Sequence, residues 1–240
     1  EYPSSLKESK KIPIPKKGKD TRDPGNHRGI SISPIIGKIL DKISHSHQKV
    51  STTSRCSDLQ SGFTEGRSCT HTSFLVTESI NESKDQGEAL YCCALDVKKA
   101  FDVLRHASLL DKLDELGMTP PWWRLKRSAY ENLQERVLWQ GKLSEPYTIY
   151  QGNRQGAYPS PDDYISYICK ILFMAENSNL GLSIGSIKIP TPTCADDMII
   201  LAQSPLELQA LLTLITQYAN DECYTIHPEK TVIVPDPFNI

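Results

Sequence analysis

The stretch Thr191-Pro192-Thr193-Cys194-Ala195-Asp196-Asp197-Met198-Ile199-Ile200-Leu201-Ala202 sets two adjacent carboxylates in front of an apolar run. Adjacent strand residues point to opposite faces, so both carboxylates can serve one site only where the chain turns. The pattern reads as a β-hairpin tip that projects negative charge. Asp-rich turns are also ordinary surface chemistry, and the dipeptide alone does not decide between the two. A second segment helps to decide. Ala89-Leu90-Tyr91-Cys92-Cys93-Ala94-Leu95-Asp96-Val97 is a near-continuous apolar run of strand formers that ends in a carboxylate, as a strand buried on both faces would read. Desolvating that carboxylate is costly unless a cation meets it, although Asp96 could also cap the turn that follows. Two apolar strands that each end in Asp suggest carboxylates converging on divalent metal. Hard oxygen donors suit Mg²⁺, and two ions about 4 Å apart can clamp both oxygens of an in-line phosphoryl transfer.

With 240 residues, the chain can hold one large domain or two modest lobes. No run approaches membrane-spanning length, and the charged, Pro-containing start is not a signal peptide, so no membrane partner is expected. Seven cysteines, without a CxxC pair, argue against a zinc site or a disulfide framework and read as reduced small hydrophobes of an intracellular protein. The net charge of −2 conceals an asymmetry. Residues 1–60 carry twelve Lys and Arg against six Asp and Glu, and the remainder carries fifteen against twenty-three. A basic front beside an acidic, carboxylate-bearing remainder suits nucleic acid plus metal. A solvated Lys-rich segment explains the first part equally well.

Residues 1–28 read as an extended or hairpin-like segment. Ile35, Ile36, Ile39, Leu40 and Ile43 have helical spacing within 34–50, and a second helix is expected over 68–84. The strand at 89–97 follows. Leu109 to Leu116 define a short helix closed by Gly117, and Pro120-Pro121 opens another that carries Trp122 and Trp123 as core packing. Paired strands are expected at 136–140 and 147–150, a helix over 161–176, and strands at 181–189 and 193–202. Ser204-Pro205-Leu206-Glu207 has the cap, Pro and Glu of a helix start, and that helix runs to about 220. Short strands at 223–227 and 231–234 finish an α+β chain.

In order along the chain, these residues resemble the reverse transcriptase domain of non-LTR (LINE-type) retrotransposons. Ile14-Pro15-Lys16-Lys17-Gly18-Lys19, with Asp23-Pro24-Gly25-Asn26-His27-Arg28-Gly29-Ile30-Ser31, resembles the start of the fingers. Gln60-Ser61-Gly62-Phe63 with Gly66-Arg67-Ser68 is similar to a second fingers motif. Leu95-Asp96-Val97-Lys98-Lys99-Ala100-Phe101-Asp102 is similar to motif A, and Gln151-Gly152 with Arg154-Gln155-Gly156 and Ser160-Pro161 to motif B. Cys194-Ala195-Asp196-Asp197 resembles motif C, and Pro228-Glu229-Lys230-Thr231 resembles motif D. The likeness covers roughly 12–235.

The resemblance implies a right-hand polymerase, with fingers over 1–88 and a palm over 89–240 built as a ferredoxin-like antiparallel sheet backed by helices. A thumb and an endonuclease are expected to belong to other regions of a longer polyprotein. It further implies RNA-directed DNA synthesis from dNTPs on an RNA template and DNA primer, with two Mg²⁺ ions, or Mn²⁺ in their place. Asp96, Asp196 and the Val97 carbonyl would hold the ions, and Asp197 would support them. Phe101 would exclude a ribose 2′-OH by bulk. Gln155 and Gly156 would line the nascent pair, Arg28 with Lys16 or Lys17 would neutralise the triphosphate, and Lys230 would protonate the leaving pyrophosphate. The setting implied is intracellular, in the nucleus and cytoplasm as part of an element's ribonucleoprotein. The chain departs from the family at Cys194, where Tyr is usual, at Asn153 and Pro159, where Val and Leu are usual, and at Thr64-Glu65, where Arg-Pro is usual. Such changes suit a divergent active element. They also suit a decayed remnant that at most binds nucleic acid.

Overall fold

The computed structural model describes residues 1–52, 56–98 and 100–234, so Lys99 of the motif A block lies outside the described residues. Besides two short 3-10 turns, the elements are β1 (Glu8–Pro15), β2 (His27–Ile32), α1 (Ile35–Thr52), α2 (Cys69–Gln86), β3 (Tyr91–Leu95), α3 (Ala100–Val103), α4 (His106–Glu115), α5 (Pro120–Tyr130), β4 (Gln134–Trp139), β5 (Lys142–Leu143), β6 (Tyr147–Thr148), α6 (Ser160–Glu176), β7 (Ser183–Ile184), β8 (Ile187–Lys188), β9 (Thr193–Cys194), β10 (Asp197–Ala202), α7 (Pro205–Asp221) and β11 (Val232–Val234). Two compact units interleave along this path, one of 1–54 with 101–163 and the other of 55–100 with 164–240. Two of the three boundaries between them fall within α3 and α6.

The second unit is a βαββαβ arrangement of β3, α6, β9, β10, α7 and β11. Its sheet runs β11-β3-β10-β9, all antiparallel. Numbered within the unit, that order is fourth, first, third, second, the ferredoxin-like order. Burying β3 and β10 at the centre explains their apolar runs: Leu90, Cys93, Ile200 and Leu201 are fully buried. Helix α7 lies on both strands through Leu208, Leu211 and Ile215, and the Tyr218 hydroxyl donates to the Tyr167 carbonyl of α6 at 3.0 Å. Its start is capped as the sequence predicts, with Ser204 Oγ accepting the Glu207 N–H at 3.2 Å and Glu207 Oε2 accepting the Gln203 N–H at 3.0 Å. The expected strand at 181–189 is instead the hairpin β7–β8, turned at Gly185 with φ of 59°. The expected strand at 223–227 reduces to a bridge between Val97 and Ile226.

In the first unit the sheet runs β2-β1-β4-β5, with β6 also on β4. Strands β1 and β2 form an antiparallel hairpin that begins in the extended or hairpin-like segment expected over 1–28 and runs on to Ile32, and β4 meets β6 between 134–135 and 147–148. The parallel pairing of β1 with β4 has no counterpart in the sequence pattern. Glu135, fully buried, fastens it: its carboxylate accepts from Ser9 at 3.3 Å, Ser31 at 2.5 Å, Tyr147 at 2.9 Å and the Lys11 ammonium at 2.9 Å. Helix α1 forms as expected but turns its polar side inward. Asp41, Ser44 and His45 are buried, while Ile35 and Ile36 are 78% and 69% exposed and Ile39 and Ile43 are also exposed. Partners explain the inversion. Tyr2 donates to Asp41 at 3.0 Å, Arg154 sits 3.6 Å from the same carboxylate, and His45 lies 2.7 Å from Asp162. The Trp pair is half-buried rather than core, with the Trp123 indole N–H donating to the Leu110 carbonyl of α4 at 2.8 Å. Among the described residues, no helix is long and apolar enough to cross a membrane.

Candidate active site

In the second unit the ladder between β3 and β10 ends at Leu95 opposite Met198. The next residues on the two strands are Asp96 and Asp197, with Asp196 at the hairpin tip. A third segment closes on this end: His227 N–H donates to the Asp96 carbonyl and Lys98 N–H to the Thr225 carbonyl, both at 2.8 Å. These bonds flank the Val97–Ile226 bridge, a pair of the non-hydrogen-bonded kind, so the bridge does not consume the Val97 carbonyl. The same segment brings the Lys230 ammonium to 3.1 and 3.3 Å from the Asp96 oxygens. Asp196 is half-buried and Asp197 exposed. Burial first, then the charges of Asp197 and Asp96, push the Asp196 carboxyl above its ordinary range, against the pull of its own backbone N–H and of Lys230. Tyr164 of α6 is buried nearby. Burial first, then the Asp196 charge, hold its phenol well above its ordinary value, so it stays protonated.

The hairpin owes its shape to residues that sequence reasoning placed in a motif without a role. Cys194 pairs with Asp197, leaving a two-residue tip in which Ala195 has φ of 60°, a left-handed conformation that L residues adopt at a penalty of about 1–2 kcal/mol. Gln60, fully buried, grips that tip: its Oε1 accepts the N–H groups of Ala195 at 2.9 Å and Gly62 at 2.7 Å, and its Nε2 donates to the Ala195 carbonyl at 3.2 Å. Backbone bonds from Thr193 to the Leu59 carbonyl and from Ser61 to the Thr193 carbonyl, both 2.9 Å, extend the grip. Gly62 approaches so closely that a Cβ there would lie 2.1 Å from the Ala195 nitrogen. The readable signal was Gly beside small residues in Gln60-Ser61-Gly62, which marks close backbone approach.

In the first unit the structure gathers Phe101, Gln155 and Gly156. Asn153 N–H donates to the Phe101 carbonyl at 2.7 Å, and Gln155 Nε2 to Asp102 Oδ1 at 3.5 Å. The Gln155 carbonyl accepts the Ser31 N–H of β2 at 2.7 Å. Gly156 has φ of 107°, and a Cβ there would meet the Ser31 carbonyl at 2.9 Å; the position needs Gly twice over. Arg28, exposed on β2, pairs with Ile14 of β1. Lys17 is exposed just past that hairpin's strand end, while Lys16 donates from Nζ to the Gly25 carbonyl at 3.2 Å. Asn153, one of the family departures, has structural work here: its Nδ2 donates to the Ser160 carbonyl at the start of α6 at 2.7 Å.

Among the described residues, no three His, Cys, Asp or Glu side chains are grouped to hold an ion by themselves. The donor set still fits a hard divalent cation. Magnesium is habitually held by one or two carboxylates, with water and substrate phosphate completing its shell. Here burial, then the charges of Asp197 and Asp96, raise Asp196, and an ammonium already occupies a cation's place against Asp96.

The family described as "Reverse transcriptase (RNA-dependent DNA polymerase)" matches residues 14–240. A retrovirus-related Pol polyprotein from the type-2 retrotransposable element R2DM of Drosophila melanogaster is 25% identical over 232 residues, covering 93% of this chain and 22% of the relative. The RNA-directed DNA polymerase from the mobile element jockey of Drosophila funebris is 27% identical over 211 residues, covering 87% and 22%. The chain thus spans less than a quarter of either relative's length. A solved telomerase from Candida Tropicalis, in complex with the TWJ fragment of telomeric RNA, superposes with a TM-score of 0.67 at 14% identity, over 98% of this chain and 42% of that one. That likeness is one of fold.

Proposed function

The chain belongs to the reverse transcriptase family, and from that premise we propose that it synthesises DNA on an RNA template as the polymerase region of a non-LTR retrotransposon polyprotein. The observation that carries this reading is the convergence of Asp96 with Asp196 and Asp197 at one end of the β3–β10 ladder, with Lys230 seated on Asp96. In the reaction a primer 3′-oxygen attacks the α-phosphate of a dNTP and pyrophosphate leaves. Bound Mg²⁺, or Mn²⁺, would supply positive charge to the attacking and leaving oxygens.

Asp96, Asp196 and the Val97 carbonyl would hold the ions on this reading, and Asp197 would keep the local field negative. Lys230, seated on Asp96, is the group that would give a proton to the departing pyrophosphate. In the first unit, Arg28 with Lys17 and Lys16 meets the triphosphate through donors of fixed positive charge. Phe101 excludes a 2′-OH, and Gln155 with Gly156 lines the incoming base pair. The fingers role falls to 1–88 and the palm role to 89–240. A thumb and an endonuclease come from other regions of the polyprotein, and the working form is the element's ribonucleoprotein in nucleus and cytoplasm.

Primer extension by the purified chain on an RNA template, with and without Mg²⁺, tests this. Asp96→Ala and Asp196→Ala are each expected to remove extension, and extension retained by either variant would sink the assignment. Tight, steeply salt-dependent binding of primer–template without any extension would identify a decayed remnant instead.

A further inference from the structure

One pair of side chains at the hairpin has no part in the chemistry above. Cys194 ends β9, two residues from Asp196, and pairs across the hairpin with Asp197. Cys69 is the first residue of α2. The first turn of α2 lies on β9, where Thr72 Oγ1 donates to the buried Thr193 carbonyl at 3.2 Å. Cys69 stands one helical turn before Thr72 and so on the same face, on the helix end that packs against β9, and after burial it is the Cys69 thiol that most pushes the Cys194 thiol up. Cys69 is exposed and Cys194 half-buried, so a small oxidant can reach the pair. Cys56 and Cys169 also meet, but Cys169 is buried. Cys92 and Cys93 are adjacent in a strand and point to opposite faces.

We propose that Cys69 and Cys194 are a redox latch: peroxide closes them to a disulfide that ties the Asp196–Asp197 hairpin to α2 and stops the site from working. The effect on catalysis rests on the polymerase reading; the bond does not. Hydrogen peroxide oxidises the Cys69 thiol to a sulfenic acid and releases one water. The Cys194 sulfur then attacks the sulfenic sulfur; the S–S bond forms, the S–O bond breaks, and a second water leaves with the Cys194 proton. Two thiols and one peroxide thus become one disulfide and two waters, and a thiol reductant reverses the bond by exchange. A disulfide holds its sulfurs about 2 Å apart, closer than any two unbonded thiols. Closure therefore draws β9 toward α2 and shifts the Ala195–Asp196 tip away from the position that Gln60 imposes.

The test treats the full chain with hydrogen peroxide and maps it without reduction after combined cleavage at Lys/Arg and before Asp. Fragment 68–84 should appear joined to fragment 189–195, and the joined species should vanish on adding dithiothreitol and in Cys69→Ser. Absence of that species, or cross-links that omit this pair, overturns the proposal. Hydrogen exchange at Ala195 should quicken on oxidation in the parent, as its bond to Gln60 is lost, and stay unchanged in Cys69→Ser; no quickening in the parent overturns the latch. In primer extension, peroxide should lower the parent's rate tenfold or more, with recovery in dithiothreitol, while Cys69→Ser keeps its rate. Equal loss in both proteins also overturns it. A reduced chain that never extends primers refutes the polymerase reading alone, because mapping and exchange still decide the latch.

Discussion

Truncating Gln60 strands three backbone groups at once, the N–H and carbonyl of Ala195 and the N–H of Gly62. Each buried group left unpaired costs about 1–3 kcal/mol. Gln60→Ala should therefore lower the melting temperature by several degrees and cut primer extension while every carboxylate remains in place; thermal unfolding and extension rates check both. Ala195→Gly acts in the opposite sense on stability. It relieves the left-handed conformation at φ of 60° but adds backbone freedom to the unfolded chain, so a gain below about 1 kcal/mol is expected from denaturant unfolding. The carboxylates were legible because an Asp at the end of an apolar strand contradicts its surroundings. Gln60 was not, because a buried neutral side chain leaves no periodicity or charge pattern; only its hydrogen bonds reveal it.

Periodicity says which residues of an element share a side and leaves open which side is buried. For α7 the apolar side lies on the sheet, as expected, and Ser204 caps it. For α1 the isoleucines face out, because Tyr2 and Arg154 arrive from distant parts of the chain to meet Asp41. The parallel pairing of β1 with β4 was illegible for a like reason: parallel partners are separated in sequence and no turn announces them. Its dependence on Glu135 is testable. Glu135→Ala removes the acceptor of four donors and should destabilise the protein by at least about 3 kcal/mol in denaturant unfolding. Helix α4 carries a pH dependence of its own. Burial holds the His106 imidazole below its ordinary pKa, against the Gly152 carbonyl that accepts from its Nε2 at 2.9 Å. The unfolded chain then takes up a proton that the folded chain resists. Stability should be fully present above about pH 6.5 and fall as the pH drops below it. His106→Gln should flatten that decline in melting temperatures measured across pH 5–8.

Divided by compact unit, the charge asymmetry survives folding. The first unit holds nineteen Lys and Arg against fourteen Asp and Glu, and the second holds eight against fifteen. On the proposed function, the first unit is the one expected to meet nucleic acid phosphates, while Asp96, Asp196 and Asp197 lie in the second. Replacing Lys17 or Arg28 by Ala should reduce the salt dependence of primer–template binding, by about one in the logarithmic slope for each phosphate no longer neutralised, measured by fluorescence anisotropy over a salt series. The interleaving of the units also imposes a schedule on synthesis. Glu8 of β1 pairs with Gln134 of β4, so one edge of the β1–β2 hairpin waits until β4 has left the ribosome. At about 5–20 residues per second, the roughly 107 residues from Ile32 to Trp139 make that delay on the order of 5–21 s. Throughout it, a strand with Ile12 and Ile14 offers an unpaired edge to other nascent chains, and the moments just after that hairpin emerges are when a chaperone matters most to this protein.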